Sequence, residues 1–128
     1  MRSRILIVDT STLMIRRLGE LVSESGGIEK IEVSISYLDA SKKIKSNPPD
    51  IVLLDLGLPA KDSIRLLRII KKENPEIFVI AVSGTADERI KRQCEQAGAD
   101  CFFDKYNEFE KIPDVIRQIT SAAQNHPF

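Results

Sequence analysis

Four polar residues in this 128-residue sequence each stand just past a short apolar run. Asp9 follows residues 5–8, Asp55 follows residues 51–54, and Ser83 follows residues 78–82. Lys105 follows residues 101–103 after one further acid, Asp104. Two carboxylates, a hydroxyl and an ammonium form a set suited to handling a phosphoryl group. One carboxylate can attack phosphorus and hold it as an aspartyl-phosphate. The other can help bind a divalent cation that offsets the charge of acid and phosphate. The ammonium and the hydroxyl can donate to phosphoryl oxygens. No general base is needed, because a carboxylate is already ionised at neutral pH.

That chemistry requires the four side chains to meet, and the surrounding pattern supplies the means. Residues 5–8, 51–54 and 78–82 are apolar at consecutive positions, the signature of strands covered on both faces of a parallel sheet. Residues 31–35 alternate apolar and polar and read as an edge strand, and residues 101–103 read as a fifth strand. Helical spacing fills the gaps. Met14, Leu18, Leu21 and Val22 are stopped by Gly26-Gly27, and residues 38–46 are ended by Asn47-Pro48-Pro49. Ile64, Leu67 and Ile70 precede the stop Asn74-Pro75. Thr85 and Glu88 have capping-box spacing ahead of a helix that Gly98 ends. Pro113 suits the first turn of a last helix carrying Ile112, Val115, Ile116 and Ile119. Five strands alternate with five helices, and each connection is long enough for a right-handed crossover. The expected fold class is α/β, a (βα)5 open parallel sheet with helices on both faces. Ligands in such sheets sit at the carboxyl ends of the strands, near the point where strand order reverses. Asp9, Asp55, Ser83 and Lys105 are therefore expected to converge on one rim.

Composition narrows the function classes. Nineteen Lys and Arg balance nineteen Asp and Glu, leaving no formal net charge with His126 neutral. Balance of that kind argues against a dedicated nucleic-acid or anionic-membrane binder. Apolar content of 42% and charged content of 30% exclude a disordered polyelectrolyte. The longest apolar runs, four to six residues, fall far short of the ~20 that a membrane span needs. Residues 1–4 lead straight into a strand-like run with no signal-peptide core. Cys94 and Cys101 are too few for a disulfide or metal framework and read as small apolar residues. A cytoplasmic domain filling residues 1–128 is expected, with no helix-turn-helix, linker or effector domain begun in residues 121–128.

Four motifs in order resemble the response-regulator receiver domain, the phosphoacceptor module of two-component signalling, over nearly the whole chain. They are Ile5-Leu6-Ile7-Val8-Asp9; Pro49-Asp50-Ile51-Val52-Leu53-Leu54-Asp55-Leu56-Gly57-Leu58-Pro59; Val79-Ile80-Ala81-Val82-Ser83-Gly84; and Ala97-Gly98-Ala99-Asp100-Cys101-Phe102-Phe103-Asp104-Lys105. The resemblance implies a flavodoxin-like sheet of strand order 2-1-3-4-5. It implies that Asp55 accepts a phosphoryl group from a histidine kinase or phosphotransfer protein. It assigns Mg2+ to Asp9, Asp55 and the backbone carbonyl of Gly57, and phosphoryl contacts to Ser83 and Lys105. Phe102 takes the place of an aromatic switch residue. Output would pass to a protein partner through the face made by the fourth helix, fifth strand and fifth helix. No direct nucleic-acid or membrane partner is implied, and the chain is expected to be a monomer or weak dimer.

Two departures from the family pattern stand out. Thr10 occupies the position of a second acid, which lowers the expected cation affinity. Tyr106 follows Lys105 where a proline is common, so the loop 106–111 is expected to differ. Gly57 and Thr85 offer neither carboxylate nor amide to orient water, which predicts slow hydrolysis of an acyl-phosphate.

Each residue also has a purely structural reading. Asp9 can serve as a helix-entry residue ahead of Thr10-Ser11-Thr12, any of which can cap the first helix. Asp55 can cap a turn, and Ser83 can bond local backbone. Alternation along the last strand makes one of Phe102 and Phe103 plain core. The charged residues Glu88, Arg89, Lys91, Arg92 and Glu95 fit a solvated helix face. The alternative function is a pseudo-receiver that binds partners without phosphorylation. A flavin-binding or haloacid-dehalogenase-type enzyme is a third possibility. Asp9 would repel a flavin phosphate there, and Ser11 stands where a dehalogenase needs a second aspartate.

Overall fold

Strands that are apolar at every position must be covered on two faces. The computed structural model describes residues 3–57, 59–84 and 87–124. Its elements are β1 (Ser3–Val8), α1 (Thr12–Ser25), β2 (Ile28–Ser34), α2 (Tyr37–Ser46), β3 (Ile51–Asp55), α3 (Ala60–Glu73), β4 (Phe78–Ser83), α4 (Glu88–Ala97), β5 (Cys101–Asp104) and α5 (Ile112–Gln124). A short 3-10 helix, Phe109–Lys111, leads into α5. The strands form one parallel sheet of order β2-β1-β3-β4-β5, the flavodoxin-like α/β architecture that the resemblance implied. As their patterns required, β3 is buried throughout and β2 lies at an edge.

Alternation sorts the strand residues into two cores. Leu6, Val8, Val52, Leu54, Val79 and Ala81 pack with the apolar stripes of α2, α3 and α4. Ile5, Ile7, Ile51, Leu53, Ile80 and Val82 pack with those of α1 and α5. Each fully buried Leu or Ile contributes roughly 1.5–3 kcal/mol of transfer free energy. The polar rim is therefore carried on a rigid apolar sheet. Cys94 belongs to the first core, where burial, with a smaller effect of Glu95, pushes its thiol up to about 11. It is a small hydrophobe in practice.

The helix ends refine the expectations. Of the three candidate residues ahead of α1, Ser11 is the cap, its Oγ accepting from Met14 N at 3.2 Å. Ser36 caps α2 in the same way. The expected capping box at Thr85 is not how α4 begins. Asp87 Oδ1 accepts from Arg89 N at 2.8 Å, and the helix starts at Glu88. Aspartate outranks threonine as a cap, so the nearer acid wins. Thr85 lies outside the described residues, as do Leu58 of the second motif and the tail beyond Gln124. The last helix starts at Ile112, which puts Pro113 in the first turn as its fixed φ favours.

The end of the sheet away from the carboxyl rim is tied by a charged clasp. Asp100 Oδ2 accepts from Val79 N at 2.8 Å and pairs with Lys71 Nζ at 2.6 Å. Lys71 also donates to the Ile77 carbonyl at 2.6 Å. The aliphatic stem of Lys71 lies across Gly98, which ends α4 in the left-handed region with φ 105°. A Cβ there would stand 2.9 Å from Lys71 Cγ. Gly98→Ala is thus expected to lose about 1–2 kcal/mol of stability from backbone strain alone, read as a lower urea midpoint at unchanged slope. An unchanged midpoint would contradict the strain.

Candidate functional site

The reversal of strand order falls between β1 and β3, whose ends Val8 and Leu54 are register partners. Asp9 and Asp55 consequently leave neighbouring strands at the same rim. Both are buried, at 0% and 5% exposure. Two like charges so placed require a cation between them, and Lys105 supplies it from the turn just beyond β5. Its Nζ lies 2.9 Å from Asp9 Oδ2 and 3.0 Å from Asp55 Oδ1.

Backbone contacts hold the remaining carboxylate oxygens. Asp9 Oδ1 accepts from Ser11 N at 2.9 Å, so the same side chain serves the turn into α1 and the site. Asp55 Oδ2 accepts from Gly57 N at 3.2 Å. Ser63 of α3 donates through Oγ to the Asp55 carbonyl at 2.8 Å, anchoring the end of β3 from below. Lys105 N donates to the Ser83 carbonyl at 2.7 Å, and Leu56 N to the Val82 carbonyl at 2.9 Å. Ser83 is thereby fixed at the rim, 4% exposed, one position beyond the Asp55–Val82 register pair.

The electrostatics follow from this packing. Burial pushes the Asp55 carboxyl above the ordinary aspartate value, the Lys105 hydrogen bond pulls it back, and the charge of Asp9 adds to the rise. For Lys105, burial works against the ammonium, yet the hydrogen bonds and charges of Asp9 and Asp55 outweigh it and raise its pKa. One ammonium against two carboxylates leaves the pocket short of positive charge.

That deficit bears on whether a divalent cation fits. Asp9 Oδ2 is fully buried and faces the Lys105 ammonium at 2.9 Å. A free lone pair on a buried carboxylate, beside a second carboxylate, is the hard oxygen chemistry that Mg2+ takes. Among the described residues no group of three or more His, Cys, Asp or Glu is disposed to hold a metal. Two carboxylates would have to be completed by a backbone carbonyl, water or phosphoryl oxygen. Thr10, where a third acid would stand, is exposed beside Asp9.

Asp9, Asp55 and Lys105 are thus brought together as expected, with Ser83 and Gly57 adjoining. Phe102 belongs elsewhere: it is half-buried, packs toward the α2–α4 core, and lines a shallow groove of about 130 Å³ with Lys91 and the acids Asp87, Glu88, Asp104 and Glu108. Phe103 packs on the opposite face. Neither is fully buried, because β5 is an edge strand.

Two residues escaped the sequence reading. Ser63 carries no local signal, since its partner lies eight positions earlier and only the docking of α3 brings them together. Tyr106 was noted only as a departure; in the structure its ring lies over Gly84, next to Ser83. The loop it begins is built on Asp104, whose Oδ1 accepts from Tyr106 N and Asn107 N at 2.8 and 3.0 Å.

Comparison with known proteins agrees with this fold. The family model described as the response regulator receiver domain matches residues 5–117. A protein-glutamate methylesterase/protein-glutamine glutaminase from Treponema denticola is 34% identical over 104 residues, covering 80% of this chain and 28% of the relative. Its namesake from Aliivibrio fischeri is 32% identical over 123 residues, covering 95% of this chain and 31% of the relative. The chain therefore spans about a third of the length of these relatives. Among solved structures, a CheY-like response regulator receiver domain protein from Methanospirillum hungatei superposes with a TM-score of 0.84 at 23% identity, covering 97% of this chain and 98% of that one. The Mn(2+)-bound form of the response regulator Rcp1 superposes with a TM-score of 0.76 at 21% identity, covering 98% and 97%. At these identities the likeness is one of fold.

Proposed function

This chain belongs to the response regulator receiver domains, and from that membership we propose that Asp55 is its phosphoacceptor, taking a phosphoryl group from a histidine kinase or phosphotransfer protein. The observation that carries the proposal is the Lys105 ammonium, held at 2.9 and 3.0 Å between two buried carboxylates. An Asp55 oxygen attacks phosphorus, the bond from phosphorus to the donor's imidazole nitrogen breaks, and the leaving nitrogen keeps the electron pair. The acyl-phosphate carries about −2 charge where the carboxylate carried −1, so the rim gains about one negative charge. Lys105 remains beside that charge, and Ser83, one residue beyond the register partner of Asp55, donates its hydroxyl to it. Asp9, Asp55 and the carbonyl of Gly57 are the residues that would hold Mg2+. When bound, the ion would neutralise charge shared by carboxylate and phosphoryl oxygens.

A change at the rim reaches a partner by shifting the population of two arrangements, and only by as much as the phosphoryl group favours one of them. The face of α4, β5 and α5, with Phe102 as its state-reporting aromatic, is the surface we assign to that partner. The methylesterase relatives extend well beyond the matched segment. Effector chemistry is accordingly assigned to a domain or protein that reads this one, with the receiver monomeric or weakly dimeric in the cytoplasm. None of the helices among the described residues is long and apolar enough to cross a membrane.

Incubation with acetyl phosphate and Mg2+, followed by intact mass, tests the acceptor. The expected result is a gain of about 80 Da for one phosphoryl group, absent in Asp55→Ala. Gly57 brings no side chain to orient water, so the adduct is expected to outlast a seconds-scale chase. The exposed Thr10 favours a second reading, a binding module that is never phosphorylated. No adduct from any phosphodonor would select it.

A further inference from the structure

The ring of Tyr106 lies against the backbone of Gly84. A Cβ on Gly84 would stand 3.3 Å from the ring's Cε2 and 3.7 Å from its hydroxyl oxygen. Glycine is what lets the ring lie down there. The two segments are also stitched together by Lys105 N donating to the Ser83 carbonyl at 2.7 Å. Ser83 and Lys105, which donate hydrogen bonds to the phosphoryl group in the reading above, thus immediately precede the two residues in contact. Asp104 Oδ1 fixes the backbone turn that carries the ring by accepting from Tyr106 N and Asn107 N. Among the described residues nothing comparable covers its outer face, and Tyr106 is 72% exposed. A ring packed on one side only can be released at little cost, unlike a core aromatic.

We propose that Tyr106 is a positioning residue for the switch: its ring holds Gly84, and through it Ser83, in the resting arrangement and lifts from Gly84 when Ser83 moves toward a phosphoryl group on Asp55. The proposal rests on the phosphoacceptor reading of Asp55. It assigns to the aromatic after Lys105 a restraint separate from any role of Phe102, which packs toward the α2–α4 core. Removing a contact made only in the resting state lowers the cost of leaving that state and tightens apparent binding of whatever favours the other.

The chain has two tyrosines and no tryptophan, so Tyr37→Phe leaves Tyr106 as the sole fluorescent reporter of its class. With Mg2+ and beryllofluoride as the phosphoryl stand-in, Tyr106 emission in that variant is expected to change on binding, and not with Mg2+ alone. Tyr106→Ala is expected to tighten beryllofluoride binding about threefold, and Tyr106→Phe, which keeps the ring, to leave it as in the parent. Gly84→Ala, whose methyl crowds the ring at 3.3 Å, should tighten binding in the same direction by no more than Tyr106→Ala and add nothing to it. Bound beryllofluoride, seen by its fluorine resonance, with unchanged Tyr106 emission overturns the clamp alone. So does a Tyr106→Phe variant that behaves like Tyr106→Ala. The lack of any bound fluorine resonance overturns the acceptor reading and the clamp with it.

Discussion

Lys105→Met is expected to abolish stable phosphoryl transfer to Asp55 and to lower folding stability by about 3 kcal/mol or more at neutral pH, the usual cost of removing one partner from a buried ion pair. Methionine keeps much of the apolar stem and removes only the charge, so the effect is electrostatic. Asp9 and Asp55 are then left facing each other at 0% and 5% exposure with no cation between them. The free energy is relieved by protonating one of them. Asp55 is the candidate, because burial already raises its pKa and the opposing Lys105 hydrogen bond is gone.

The sign of the pH dependence follows. A carboxyl whose folded pKa exceeds its unfolded value binds more protons when folded. Its contribution is present below the unfolded pKa and is lost as pH rises through the folded one. In the parent, Lys105 holds this loss down; its own raised pKa gives a contribution that persists until strongly alkaline pH. In Lys105→Met, urea midpoints are expected to fall more steeply from pH 4 upward than in the parent. Adding Asp9→Asn to the variant should flatten the curve again. Parallel pH curves for parent and Lys105→Met would mean that the three charges are not coupled as drawn.

The parts of this arrangement that were legible in the sequence are those with a local cause. A strand buried on both faces must be apolar at every position, so residues 5–8, 51–54 and 78–82 declared themselves. Parallel strands end together at one rim, so the polar residue past each run marked the site. Pairings that depend on how elements dock had no such signature. Ser63 bonds the Asp55 carbonyl because α3 crosses the end of β3. Lys71 reaches Asp100 because α3 packs beside the turn into β5. Tyr106 finds Gly84 because β4 and β5 are neighbours. The expectation that one of Phe102 and Phe103 is plain core failed for a related reason: alternation assigns faces, but an edge strand leaves both partly open. At α4 two residues competed to cap one helix, and spacing alone favoured Thr85 over Asp87, the better acceptor.

The other large effect is expected from Thr10→Asp. Thr10 is exposed next to Asp9, so a carboxylate there replaces no buried contact of its own. A unit charge about 4 Å from a divalent ion is worth roughly 2 kcal/mol even at the dielectric constant of water, which is about thirtyfold in affinity. Salt screening reduces that figure, and a tenfold gain in Mg2+ affinity is the conservative expectation. The same charge is a burden without the ion, because a third acid then faces Asp9 and Asp55 with Lys105 as their shared counter-charge. Stability should therefore change sign with the cation: Thr10→Asp less stable than the parent in chelator, more stable in excess Mg2+. The second half follows because a ligand bound only by the folded state stabilises it as the logarithm of concentration over dissociation constant. Urea midpoints measured with and without Mg2+ give both halves at once. Destabilisation in both conditions would place the cation away from Asp9 and Asp55. A crossing of the two would tie the weak point of this site to the single missing carboxylate, with Lys105 as the reason the remaining two can be buried at all.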